Sequence, residues 1–360
     1  RRRWRRSRSP RSGPRRGDAR LAEGFLEARQ AARPGEGADA VLRREAGVAL
    51  RHEVAALALQ ARQHDAARQA ELEELAVRCR GAVLERCQFV RNRGNGVWFD
   101  IGNEDCEVHH CLIADNEDAG IFYEISYGLD AHDNVIVGNG LADTPGAWGA
   151  AAGICLSSSP GGRIERNLLL GNREGFDFRE QRRTTPRIDE RREVAIWNHD
   201  QAVRHNLLAF NRDAQVRGWF DVDDGRHWPA ALRESAETSR RKPEHDLAAP
   251  CGARDAKGMP EGLTLETLKL SFDENLHAAQ PWQPLFIWGI EWKRHKTYTS
   301  LDDVRSELGL ERGSRAADLT FSDVTSRDFR VPPGSPALEM GCYPTGEVPG
   351  AILGVLPDRR

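Results

Sequence analysis

Asn134–Gly140, "NVIVGNG", is a short apolar run closed by glycines and asparagine. It is too short and too glycine-rich for a good helix and reads as a strand ended by a turn. Its meaning comes from what aligns with it. "LERCQFVRNRGNGVWFD", "VHHCLIADNEDAGIFYE", "AHDNVIVGNG", "IERNLLLGNREGFDF" and "VRHNLLAFNRDAQ" share two polar columns. One runs Cys87, Cys111, Asn134, Asn167, Asn206; the other, five residues on, runs Asn92, Asn116, Asn139, Asn172, Asn211. Apolar pairs such as Val135-Ile136 and Leu168-Leu169 lie between the columns. Gly96, Gly120, Gly153 and Gly175 then open a further apolar strand.

A repeat of about 23 residues with two or three short strands cannot bury its own apolar face, and stacking does. A leucine-rich horseshoe needs an LxxLxL core, which does not recur. The pattern predicts an all-β parallel β-helix, with the asparagines at bends, where a short amide bonds the backbone and tolerates left-handed conformations, or stacks in ladders.

Composition sets the context. The 360 residues carry a net charge of -3, with 39% hydrophobic residues. Residues 1–80 hold 19 arginines against 11 acids, and the remainder is acidic, which argues against nucleic acid as the main partner. No run approaches the roughly 18 apolar residues of a membrane span. Seven cysteines without a CxxC pair read as buried thiols, and His109-His110 as rung surface without a further ligand identifiable by spacing.

The expected organisation is a basic disordered segment at 1–38, a helical extension at 39–80 and a β-helix at 81–345. Insertions are expected at 140–152, 181–202 and 223–262, with a tail at 346–360. The first residue is Arg, and the reading expects a fragment or processed form.

The residues resemble the right-handed parallel β-helix repeat proteins of the pectin-lyase-like superfamily over about 81–222. "FDENLHA" (272–278), "WKRHKTYTSLDDVRSELGLERGS" (292–314) and "DFRVPPGSPALEMG" (328–341) resemble the closing segment of bacterial β-helix proteins that act on glycans. The resemblance implies a polysaccharide or oligosaccharide partner, an extracellular or periplasmic location, and a lyase, hydrolase or uronate epimerase. A non-catalytic glycan-binding or surface protein is the alternative. A monomer is expected, with no cofactor; a Ca²⁺ ion beside the acids is the one addition considered, although no Asp-rich calcium motif is present.

Alternation in the strands after the glycines predicts Val97, Phe99, Ile121, Tyr123, Ile154, Leu156, Phe176 and Phe178 inside. Trp98, Asp100, Phe122, Glu124, Cys155, Ser157, Asp177 and Arg179 then form an outward, solvated stripe suited to sugar stacking and acid–base work. "YGLDAHDN" (127–134) resembles the YGFDPHE-like motif of mannuronan C5-epimerases. Tyr127, Gly128, Asp130 and His132 match, and Ala131 replaces the proline; a histidine between two acids is suited to proton abstraction. Around the second insertion stand Asp177, Glu180, His199 and Asp200 as acids and base. Arg179, Arg182 and Arg183 stand there to hold uronate carboxylates. The expected catalytic set is Glu124, Asp177, Glu180, His199, Asp130 and His132; the expected substrate contacts are Trp98, Asp100, Phe122, Arg179, Arg182 and Asp200.

Overall fold

From Val83 onward the chain winds in rungs of three short strands, as a repeat that must stack to bury its apolar face requires. The computed structural model describes residues 78–142, 151–189, 192–221, 223–232, 253–256, 258–291 and 294–357. The disordered and helical segments expected before residue 78, and residues 143–150 of the first insertion, lie outside the described residues.

The first rung is Val83–Glu85, Gln88–Val90 and Val97–Phe99. Corresponding strands of successive rungs pair in parallel, giving three long sheets. In the third sheet Val97–Phe99 is followed by Ile121–Glu124, Ala152–Ser157, Glu174–Glu180, Ala214–Phe220 and Phe286–Ile290. The register joins like to like: Val135 faces Leu112 and Leu168, and Ile136 faces Ile113 and Leu169. All eight residues expected inside this sheet are in the buried core.

The structure adds a sixth rung to the five that align in sequence. Ser271–Asp273, Leu276–Ala278 and Phe286–Ile290 pair with the fifth rung, 69 residues after its first polar column. The irregular segment before Ser271 hides that step from a periodicity reading. The antiparallel strand Arg294–Tyr298 then closes the third sheet. A helix, Leu301–Leu308, follows, and its buried Leu301, Val304 and Leu308 join the core. Ser300 caps it by accepting the Asp302 N–H, and Gly309 ends it in the left-handed region, so the last rung meets a formed cap.

Both polar columns are buried hydrogen-bond ladders. Asn167 shows the unit. Its Oδ1 accepts from the Asn134 backbone N–H (3.2 Å) and Nδ2 (2.9 Å), while its own Nδ2 donates to Ala131 O (2.8 Å) and Asn206 Oδ1 (3.0 Å). Cys87 and Cys111 carry thiols in the amide's place, with Cys111 Sγ accepting from the Cys87 N–H, and Asn275 and Ser314 extend the column past the aligned rungs. A third ladder at the remaining corner joins Asn103, Ser126, Ser159 and Asn198.

The bend itself is made differently from expectation. The left-handed residue is the one before each ladder position: Arg86, His110, Asp133, Arg166, His205 and Glu274 have φ between 50° and 55°. The asparagine stays outside that region because its amide must lie along the stack, and its neighbour takes the turn.

Gly153 is required by close approach. A Cβ there would stand 2.7 Å from Gly175 O and 2.9 Å from Asn172 Nδ2, in the next rung. Asn167→Ala leaves the Asn134 N–H and one Asn134 Nδ2 proton without the buried acceptor they share. At about 1–3 kcal/mol for each orphaned group, we expect a loss of about 2–4 kcal/mol in denaturant unfolding of the full chain. Asn→Ala at an exposed position should move stability by less than about 0.5 kcal/mol.

Candidate functional site

The outward side of the third sheet carries two rows set by register. One runs Trp98, Phe122, Cys155, Asp177, Arg217; the next runs Glu124, Ser157, Arg179, Trp219. Strand alternation therefore brings Trp98, Phe122, Glu124, Asp177 and Arg179 to one face, as their spacing predicts.

The face is not the open stripe expected. Phe122, Glu124, Cys155, Ser157 and Asp177 are buried, and Trp98 and Arg179 are half-buried. Rungs about 4.8 Å apart let large side chains cover one another. The Trp98 ring stacks on Phe122 at 5.6 Å and 18°, and the Arg179 guanidinium lies 4.7 Å from the centre of the Trp219 ring. Phe122 thus supports Trp98 from below and offers no surface to a ligand.

At the middle of the first row is a buried acid pair. Glu174 binds Arg217 at 2.5 Å, Arg217 also binds Glu291 at 2.8 Å, and Asp177 lies beside Arg217 in register. Burial pushes Glu174 up to about 8, with Asp177 adding to the rise and Arg217 opposing it. Burial also raises Asp177, against Arg217 and Arg179. One guanidinium serves both carboxyls, so the pair retains a proton near neutrality and titrates as a unit. The Cys155 thiol lies 3.6 Å from Asp177 Oδ2. Among the described residues, Asp177 Oδ1 and the Ser157 hydroxyl, each almost fully buried, have no hydrogen-bond partner, nor do Nε and Nη2 of Arg182.

The second insertion folds as an antiparallel hairpin, Arg183–Pro186 with Glu193–Ile196, lying back over the earlier rungs. Arg183 Nη1 binds Glu124 at 2.9 Å, which ties up the carboxylate expected to act as acid or base. Near the tip, Arg187 binds Glu104 (3.0 Å) and covers the Tyr127 ring (4.4 Å), while Asp189 binds Arg80 (2.5 Å).

Other expected residues stand elsewhere. Glu180 is in register with core Phe220 and fully buried; it binds Arg226 at 2.5 Å and accepts the Asn198 N–H at 2.7 Å. Burial pushes its carboxyl up to about 7, against the pull of Arg226. Its bonds tie the hairpin's return to the loop after Phe220. His199 and Asp200 bond each other at 2.6 Å at the corner before the first sheet. Asp130 and His132 lie on the first sheet. Asp130 binds Arg163, and His132 lies between Glu107 and Asp133. Asp100 directly follows Phe99 of the third sheet and is half-buried. The expected catalytic set is therefore spread over separate parts of the coil: Glu124 and Asp177 share the outward face of the third sheet, and Asp130 and His132 that of the first.

Glu174 and Arg217 were missed by the sequence reading, which placed Ser157 on this face by alternation alone. Glu174 directly precedes the glycine of its row, and only the register shows that it shares an arginine with Asp177.

The family described as right handed beta helix region matches residues 75–169. The chain is a right-handed parallel β-helix protein. No curated protein and no solved structure matches it. Among the described residues no helix is long and apolar enough to cross a membrane, and six described cysteines are free thiols.

Glu104 gives this β-helix a pH-dependent latch. Arg187 holds its carboxyl down at about 2, with Arg80 and the Ile188 N–H assisting against burial. A depressed carboxyl stabilises the fold above its unfolded value near 4.5 and loses that contribution as pH falls towards 2. Hydrogen-exchange protection of the strands Arg183–Pro186 and Glu193–Ile196 should fall across that window, and Glu104→Gln should lower it already at neutral pH.

Proposed function

We propose that the protein acts on an acidic polysaccharide or oligosaccharide, with the Glu174–Asp177 pair as proton donor on the outward side of the third sheet. The observation that carries this reading is Asp177: a carboxyl almost fully buried, raised by burial, with Oδ1 unpartnered among the described residues. Buried polar atoms are normally satisfied, and exceptions concentrate where a ligand or a proton is handled. A carboxylic acid kept protonated near neutrality is the form that protonates a glycosidic leaving oxygen.

The surroundings fit such a substrate. Trp98 presents a half-buried ring held flat by Phe122, suited to stacking on a sugar face. Arg179 and Arg182 follow on the same strand and its extension, and their guanidinium groups match a uronate carboxylate. The long regular side of a solenoid presents successive rungs to successive sugar units. Fold alone does not select a reaction, so the proposal rests on these side chains.

A second reading is glycan binding without turnover. It is favoured by Glu124, the other carboxylate on this face, being engaged by Arg183.

The test is a panel of uronate-containing and neutral glycans, assayed for new double bonds and new reducing ends. We expect cleavage of a uronate-containing member, with kcat falling as pH rises through about 8, where the acid pair loses its proton. Asp177→Asn should lower kcat by about 10²–10⁴-fold with little change in KM. Arg179→Ala should raise KM for uronates. Binding by the wild type without any product, unchanged in Asp177→Asn, would establish the second reading.

A further inference from the structure

On the first sheet, three side chains from adjacent rungs meet at one point. Glu107 and His109 alternate on the strand Glu104–His109, so both face outward. Register sets His132 of Tyr127–His132 directly beside His109. The imidazole rings stack at 5.0 Å and 7°. Their Nε2 atoms converge on one oxygen: Glu107 Oε1 is 3.1 Å from His132 Nε2 and 3.7 Å from His109 Nε2. Among the described residues this is the one group of three or more His, Cys, Asp or Glu whose ligand atoms all lie within 4.8 Å of one another.

We propose that Glu107, His109 and His132 bind one divalent ion of the zinc class. Two imidazole nitrogens and a carboxylate oxygen form a recognised zinc ligand set. Donor atoms about 2.0–2.1 Å from a tetrahedral ion lie about 3.3 Å from one another, between the two observed separations. Nitrogen donors select zinc-like ions over calcium or magnesium, which take oxygen.

The supporting bonds fix the ring faces. His132 Nδ1 bonds Asp133 Oδ2 at 2.8 Å, so its proton sits on Nδ1 and leaves the Nε2 lone pair for the ion. Asp133 is itself held by Arg166 at 3.0 Å and by the Thr345 N–H at 2.8 Å. His109 Nδ1 bonds His110 Nδ1 at 2.8 Å, which turns His109 Nε2 to the same point. Glu107 is 37% exposed while the two histidines are 13% and 17% exposed, so the group opens to solvent on the carboxylate side. Three protein ligands leave a fourth position for water or an anionic ligand. This geometry is distinct from the Asp177 face and independent of its reading.

The experiment uses the full chain, stripped with chelator and titrated with Zn²⁺ by calorimetry and with Co²⁺ by visible absorption. We expect one equivalent bound, an intense tetrahedral Co²⁺ band, and at least a tenfold loss of affinity in both His109→Ala and Glu107→Gln. Asp133→Asn should weaken binding about 10–100-fold with the stoichiometry kept. His295→Ala, on the antiparallel closing strand, should change nothing. Circular dichroism melts identify any variant that misfolds, and the partly exposed Glu107→Gln then carries the test. Absence of saturable binding, or binding unchanged in His109→Ala and Glu107→Gln, overturns the proposal.

Discussion

The fold depends on the amide ladders that join its rungs. Each ladder asparagine must accept from the rung on one side and donate to the rung on the other. It does so where neither water nor a second donor is available. Aspartate has no proton to donate and would stack like charges at about 4.8 Å, and alanine leaves two orphaned groups. Cys111 shows what the position tolerates at the coil's first end: a soft acceptor whose S–H still reaches a backbone carbonyl, Leu84 O at 3.4 Å. Because the ladders fix register, they also fix which side chains become neighbours. His109 meets His132, and Asp177 meets Arg217, because the corners are in step.

The fold was legible in sequence because the constraint is one-dimensional. A column of Asn, an apolar pair and a close-approach glycine repeats whatever the loops do, so five rungs stand out and the eight inward residues can be named. The sixth rung was not legible, since Asn275 lies 69 residues from Asn206 and carries His277 where Leu208 is expected. The site was legible only by parity. Alternation states which face Asp177 and Glu124 occupy; it does not state that Arg183 returns from a hairpin to occupy Glu124, or that Trp98 rests on Phe122. Glu180 misleads for the same reason, because the partner that buries it, Arg226, belongs to a loop that the repeat does not describe.

The first sheet poses the converse case. His109-His110 offers no metal spacing along the chain, and the proposed ligand set joins His109 to His132 one rung away. The signal was present in the alignment: Glu107-x-His109 lies directly above Asp130-x-His132. In a solenoid, a ligand set is read down a column and not along the sequence, because adjacent rungs are closer in space than residues four apart on a strand.

The C-terminal segment links this geometry to the rest of the coil. It runs back along the corner between the first and second sheets. There His205 bonds Met340 O, Cys342 bonds Glu274 O and Thr345 bonds Asp133. Arg327 reaches Asp115 in the second rung. These partners include residues in the left-handed positions, whose side chains project from the bends and are spare once the ladder residue has taken the internal bonds. The same bend that requires a left-handed backbone thus presents Asp133 outward. There it has Arg166 and Thr345 on one side and His132 on the other. A corner residue exempt from core packing is where a solenoid can add chemistry without disturbing its stack.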